Sequence, residues 1–207
     1  MDFSSLLDKT NNARKQGDHA EENEQAFPQN LPVLPLKNTV IFPLTVLPLV
    51  VQKPRSVRLI DDVVLADRMV ALVALRDPQV EEPLPSDMHQ VGTIAIIHRL
   101  SRAPDGTLHI IVQGLERIRV VEYTQTDPYM RARVEAIPDL VEEGVEVEAL
   151  MRSTTDLFRR LVSLAAYLPD EVVSTALETT DPRQLVYMVS TSTRMEMAAR
   201  QEILEEN

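Results

Sequence analysis

The stretch VGTIAIIHRLSR at 91–102, APDG at 103–106 and TLHIIVQGL at 107–115 decides the fold. Two apolar-rich runs flank a four-residue break. Within the break Pro104 presets φ, and Gly106, following Asp105, accepts positive φ. Runs of this kind joined by this turn chemistry predict a β-hairpin. Toward the C-terminus, Arg117–Tyr123 and Tyr129–Ile137 add two alternating strands, separated by Gln125-Thr126-Asp127-Pro128. Toward the N-terminus, Met69–Leu75 (MVALVAL) is a continuous apolar run short enough for a buried strand. Leu47–Val51 and Leu31–Leu36 are further strands, the second with Pro32 and Pro35 at edge or entry positions. Pro54 suits a first helical turn, and Val57, Ile60, Val63 and Val64 recur at helical spacing as far as Asp67. Arg76–Gln90, rich in Pro and acids, reads as a loop. Consecutive hairpins predict an antiparallel sheet, closed or partly closed. Residues 31–137 are thus expected to form a β-rich lobe of about six strands with one helix.

Residues 138–207 follow a different period. Leu150, Leu157, Leu161, Leu164 and Leu168 alternate by threes and fours, with Thr154 filling a gap, which predicts an amphipathic helix ending at Pro169. A short helix is read over Asp170–Glu178. Asp181 followed by Pro182 is a cap-and-start signal, with Leu185, Tyr187, Met188 and Val189 as the buried face. A last helix begins near Ser192 or Thr193 and carries Met195, Ala198, Ala199, Ile203 and Leu204. The expected fold class is α+β: an antiparallel β-rich lobe followed by a C-terminal α-helical bundle. Residues 1–30, with six acids, three bases and no periodicity, read as a flexible acidic arm. A short helix around Ser4–Arg14 is the arm's one candidate element.

Composition narrows the chemistry. The 207 residues hold 32 acids against 21 bases and no Cys. Without cysteine there is no disulfide, thiol nucleophile, iron–sulfur cluster or thiolate zinc site. The net charge of -11 opposes broad attraction to nucleic-acid phosphates or anionic lipid. That charge is uneven, at -3 over residues 1–30, zero over 31–136 and -8 over 137–207. The longest apolar run, Thr39–Val51, contains two prolines and is too short for a bilayer helix of ~20 residues. The N-terminus, with Asp2 and Asp8, has no secretory core. A cytoplasmic protein with no membrane partner is expected.

No glycine precedes a lysine, so the Gly-Lys-Ser/Thr phosphate loop is absent. No Gly-x-Ser-x-Gly elbow and no His-Glu-x-x-His occurs either. No catalytic residue, cofactor or metal is assigned to this chain. His98 and His109 flank the hairpin turn and are expected to face each other, but no carboxylate supplies a third ligand. The adjacent acids Asp61-Asp62, Glu81-Glu82 and Glu142-Glu143 point in different directions and read as solvated surface.

Two surfaces remain. Arg117 with Arg119, and Arg131 with Arg133, are spaced by two, which puts each pair on one strand face. If the strands are neighbours, four guanidinium groups cluster into an anion or RNA surface. The plainer reading is a solvent-facing sheet with Ile118, Val120, Ala132 and Val134 inside. The other surface is apolar. Leu44, Leu47 and Pro48 lie in FPLTVLP at 42–48, and Leu100 lies near the hairpin tip. Exposed apolar residues of this kind mark a protein-binding patch. Alternatively, they plug one end of a small barrel.

The pieces in order carry a resemblance. LPVLPLKNTVIFP at 31–43 with LPL at 47–49, RDPQVEEP at 76–83 and VGTIAII at 91–97 resemble the N-terminal domain of the Lon proteases. RAPDGTL at 102–108, VQGLERI at 112–118 and PYMRARVE at 128–135 continue the match. The helices match more loosely, through Asp181-Pro182 and QEILE at 201–205. The resemblance implies a PUA-like pseudo-barrel lobe, then a helical bundle ending in the start of a long connecting helix. It implies a place before an ATPase module and a serine–lysine protease domain in a hexamer, with ATP and Mg held by those modules. It implies recognition of unfolded or misfolded protein substrates and support of ring assembly with other Lon subunits. Weak apolar contacts repeated around such a ring would gain from effective concentration. Two alternatives come from other classes: an RNA or anionic-ligand module in a freestanding Lon-N-like protein, disfavoured by the charge, and a purely structural assembly domain.

Overall fold

A computed structural model of the chain describes residues 27–141, 144–164 and 179–206. Its strands are β1 (Asn30–Leu36), β2 (Val46–Val51), β3 (Met69–Ala74), β4 (Val91–Arg102), β5 (Leu108–Gln125) and β6 (Arg131–Ile137). Its helices, among the described residues, are α1 (Pro54–Leu65), α2 (Val145–Leu164), α3 (Pro182–Ser192) and α4 (Met197–Glu205). Residues 1–26 of the arm with the Ser4–Arg14 helix, Leu168, Pro169 and the Asp170–Glu178 helix lie outside the described residues, whereas Phe27, read as arm, is buried against the lobe and Asn30 opens β1.

The hairpin forms as its turn chemistry dictates. Gly106 sits at φ 88°. Its N–H donates to the Ala103 carbonyl, and the Asp105 side chain accepts from the Thr107 N–H at 3.0 Å. The run at 117–123 is not a separate strand: it continues β5, which spans 18 residues. Leu115 is the extra residue of a bulge where the β4 register shifts from Glu116 to Gly114. That length lets β5 pair with β2 through its first half and with β6 through its second. The strand order is β2-β5-β4-β3-β1-β6, and the β5–β6 ladder closes the sheet on itself.

The expectation of an antiparallel sheet needs correction. β1 and β3 pair in parallel, Val33 opposite Ala71 through Leu36 opposite Ala74, so the sheet is mixed. The chain between them holds β2 and α1, a crossover long enough to return it to the same end. α1 buries Leu59, Ile60 and Val63 in a cluster with Leu34, Leu72, Ile97 and Ile110. A second cluster gathers Val33, Val73, Ile94, Ile118 and Val134.

Between β1 and β2 the chain crosses the sheet with Val40, Ile41 and Phe42 buried. Thr93 donates its hydroxyl to the Ile41 carbonyl at 2.6 Å, and Thr45 donates to that of Phe42 at 2.6 Å. Gly114 lies directly beneath the crossing, and any Cβ there would overlap the Phe42 carbonyl. Phe42, fully buried, stacks on Tyr187 of α3 with ring centroids 5.5 Å apart.

The helices correct a second expectation. Leu150, Leu157, Leu161 and Leu164 are exposed. The face of α2 that meets α3 carries Met151, Phe158 and Val162, packed on Leu185, Met188 and Val189. The chain holds two apolar stripes one residue apart, and α3 covers the one centred on Phe158. α4 packs on the lobe: Leu204 joins Val40, Phe42, Ala74, Val91 and Tyr187, and Gln201 donates to the Val91 carbonyl at 3.0 Å.

Candidate functional site

Strand β2 is the edge of the sheet, paired with β5 alone. The Thr45 carbonyl accepts from the Gly114 N–H, so odd-numbered residues of β2 bond to β5. The N–H and C=O groups of Val46 and Val50 then point to the free edge, and Pro48 sits between them without an N–H. Proline in this position limits open-ended strand pairing while leaving an apolar side chain outside.

Alternation splits the predicted apolar residues. Leu47 is half-buried against the cluster under α1, and so is Leu100 on β4. Pro48 is on the outer face. Leu44 holds a positive φ of 59° in the turn before β2 and is 49% exposed. The four residues therefore do not share one face. Sequence reasoning passed over Val46 and Val50, the outward partners of Pro48, at 56% and 59% exposure. The period of two in VLPLVV was the available signal.

Beside the end of β2 opens a groove of about 470 Å³. Its apolar lining includes Pro35, Leu49, Val51, Pro54, Leu59 and Tyr129. Its charged lining is Lys37, Lys53 and Arg55 against Glu82 alone. The loop after β3 reaches over it. Lys37 Nζ lies 3.2 Å from Glu81 Oε1, and Lys53 Nζ lies 3.1 Å from Glu81 Oε2. Lys53 Nζ also donates to the Glu81 carbonyl. The Lys53 hydrogen bond, then that of Lys37, holds the Glu81 carboxyl below its ordinary range. Arg55 pairs with Glu82 at 3.6 Å and donates to the carbonyls of Thr126 and Pro128 at 2.6 and 3.1 Å. Of the adjacent acids read as solvated surface, Asp61-Asp62 and Glu81-Glu82 are also engaged, Asp61 with Arg102 and Asp62 with the Tyr129 hydroxyl, while Glu142-Glu143 lie outside the described residues.

The four arginines do not cluster. β5 and β6 are neighbours, but Arg117 pairs with Ile137 at one end of the ladder and Arg131 with Gln125 at the other. Arg117 is 4% exposed. Its Nε lies 2.6 Å from Asp139 Oδ1, and its Nη1 donates to the carbonyls of Leu204 and Glu206 at the end of α4. Arg131 donates to the Asn30 carbonyl at 2.8 Å, and Arg133 pairs with Glu122 at 3.0 Å. Arg119 is exposed. His109 stands opposite Ser101, not His98; His98 falls at a register shift and bonds Gln113 at 2.6 Å. Among the described residues no group of three or more His, Asp or Glu side chains is placed to hold a metal. None of their helices is long and apolar enough to cross a membrane.

Residues 30–207 match the family described as the ATP-dependent protease La (LON) substrate-binding domain. A Lon protease of Dictyoglomus thermophilum is 39% identical over 181 residues, covering 87% of this chain and 23% of that protein. Lon protease 1 of Herpetosiphon aurantiacus is 40% identical over 189 residues, covering 89% and 23%. The chain thus spans under a quarter of the length of these relatives. Among solved structures, the N-terminal domain of a Mycobacterium avium complex Lon protease superposes with a TM-score of 0.69 at 20% identity, covering 86% of this chain and 91% of that one. A Lon N-terminal domain protein from Xanthomonas campestris gives 0.60 at 20% identity, covering 86% and 90%.

Proposed function

The chain belongs to the LON substrate-binding domain family, and from that premise we propose that it is the non-catalytic part of an ATP-dependent serine protease that captures unfolded or misfolded proteins. The ring of β1, β3, β4, β5 and β6 is then a PUA-like pseudo-barrel over residues 31–137. Residues 138–207 form the helical part that leads into a connecting helix. The ATPase and protease modules, with ATP and Mg, lie elsewhere in the parent, a cytoplasmic hexamer whose other subunits this domain helps to assemble.

The observation that carries the reading is the apolar edge of β2. Leu44, Val46, Pro48 and Val50 are exposed, supported from beneath by the half-buried Leu47 and Leu100. Unfolded chains expose the aliphatic side chains that such a surface takes up. Each contact is weak, and repetition around a ring multiplies it.

The test is Leu44→Glu combined with Val46→Glu, which adds charge where side chains are already solvated. Binding of a permanently unfolded, fluorescently labelled protein, read by anisotropy, should weaken by about tenfold, a change of ~1.4 kcal/mol. The thermal midpoint should not move. Unchanged affinity in a folded double variant would refute the assignment. A steep fall of wild-type binding with salt would instead favour a charged ligand.

A further inference from the structure

The groove beside β2 has a feature that general apolar capture does not require. In a chain of net charge -11, its lining carries three cations against one acid. Two of those cations, Lys37 and Lys53, come from different segments and converge on a single carboxylate. That carboxylate, on Glu81, is 80% exposed and is not part of the groove wall. It is carried on a loop closed at its base, where the Arg76 N–H donates to the Asp87 carbonyl at 2.8 Å. The loop has its own turn, with the Asp77 side chain accepting from the Gln79 N–H at 2.8 Å. Of its apolar residues Pro83 lines the groove and Leu84 is exposed, and Glu81 itself is held by exposed ion pairs and by the Lys53 bond to its carbonyl. Such pairs are weak and easily exchanged for others of the same chemistry.

We propose that this groove takes the C-terminal tail of a protein chain. The last apolar side chains lie along Pro35, Leu49, Val51 and Leu59. The terminal carboxylate sits between Lys37 and Lys53, in the place now held by Glu81. The loop at 77–86 is then a strap whose own carboxylate occupies the site until a tail displaces it. Charge complementarity selects this occupant. An internal apolar segment would fill the groove but leave the two ammonium groups to Glu81. A bare anion would satisfy the ammonium groups and leave the apolar lining wet. A C-terminal tail does both, because it brings one carboxylate at the end of an apolar chain. The inference rests on the reading of this chain as a substrate-recognising domain and names the chain end it prefers.

The experiment uses a short labelled peptide ending in Val-Ala-Leu with a free carboxylate, and the same peptide as its C-terminal amide. Anisotropy titration of the whole chain should show the acid binding about tenfold tighter than the amide, the size of a lost charge-assisted contact. Lys37→Met with Lys53→Met should bring the acid down to the amide and leave the amide unchanged. Glu81→Gln, which removes the internal competitor, should tighten the acid severalfold and leave the amide unchanged. This second variant keeps the test intact if the lysine variant fails to fold. Equal affinity of acid and amide for the wild-type chain would overturn the proposal, as would weaker acid binding after Glu81→Gln. If an unfolded protein still binds at the β2 edge while acid and amide are indistinguishable, the groove assignment falls alone. If nothing unfolded binds and no peptide does either, both readings fall together.

Discussion

Arg117 and Lys53 each pair with a carboxylate, yet their surroundings differ. Arg117 is enclosed between β5, the 138–141 segment and the end of α4, with Asp139 and two helix-end carbonyls as partners. Lys53 stands at the groove rim and meets Glu81 from a solvated loop. A buried charge has no water to return to, so removing its partner leaves it stranded. An exposed charge regains solvent when its partner leaves. The first pair therefore fixes the helices to the lobe. The second can be exchanged without disturbing the fold, as a surface that meets changing partners requires.

The contrast breaks first at Arg117. Arg117→Ala leaves Asp139 half-buried without its cation and frees the last carbonyls of α4. Urea unfolding should show a loss of about 3–5 kcal/mol. Arg117→Met with Asp139→Leu should recover part of it, because no charge is left stranded, while the Tyr187 hydroxyl and the last α4 carbonyls still lose their partners. A loss below ~1 kcal/mol for Arg117→Ala would place this pair in the same class as the groove pairs.

The sequence could not separate these arginines, and the reason is physical. Arg117 and Arg119 share one strand face and the same spacing, and only the 138–141 segment and the end of α4, distant in sequence, enclose one of them. What was legible was local. Pro104, Asp105 and Gly106 encode their turn, Asp181 caps α3 by accepting from the Arg183 N–H at 2.9 Å, and Pro182 opens it. What was not legible depended on distant partners. Nothing in LPVLPL or MVALVAL says that the two strands run parallel. Gly114 falls inside the 107–115 strand run, and nothing local says that it is the residue that lets β5 continue under the Phe42 carbonyl. The α2 leucines and Phe158 are equally periodic, and α3 chose between them. Among the groove cations Lys37 lies 44 residues and Lys53 28 residues from Glu81 in sequence, so no local pattern announces the site.

Alkali probes the enclosed site more gently. The Tyr187 hydroxyl donates to both Asp139 oxygens at 2.8 Å. Burial, then that bond to a carboxylate, raises its pKa above the ordinary value of 10. Burial raises Tyr123 to about 12. Both phenols are thus favoured neutral in the folded chain. Their stabilisation is complete below about pH 10, where the unfolded phenol is also neutral, and falls as pH rises toward the folded values. Urea midpoints followed from about pH 8 to about pH 11 should decline at the upper end. Tyr187→Phe should flatten part of that decline, Tyr123 supplying the remainder. A Tyr187→Phe profile identical to wild type would mean that the Tyr187 hydroxyl is neither buried nor bonded to Asp139 in solution.

The smallest effect is expected at the groove, and its smallness is informative. Glu81→Gln removes the carboxylate that two lysines hold, but all three groups are solvated in either case. Stability in urea should stay within about 0.5 kcal/mol of wild type, as for ordinary surface changes. What should change is local. With its ion pairs to Lys37 and Lys53 weakened, the 77–86 loop loses much of its hold on the groove and opens more often than the fold unfolds. A protease should cut within that loop faster in the variant, while cleavage elsewhere proceeds as before. Lower salt should slow loop cleavage more in the wild-type chain than in the variant, which keeps only the exposed Arg55–Glu82 pair, because exposed pairs are screened by salt. A global loss of stability comparable to that of Arg117→Ala would erase the distinction between the two sites. Cleavage that responds to the variant while the unfolding midpoint does not would show that the fold reserves one of its ion-paired sites for exchange.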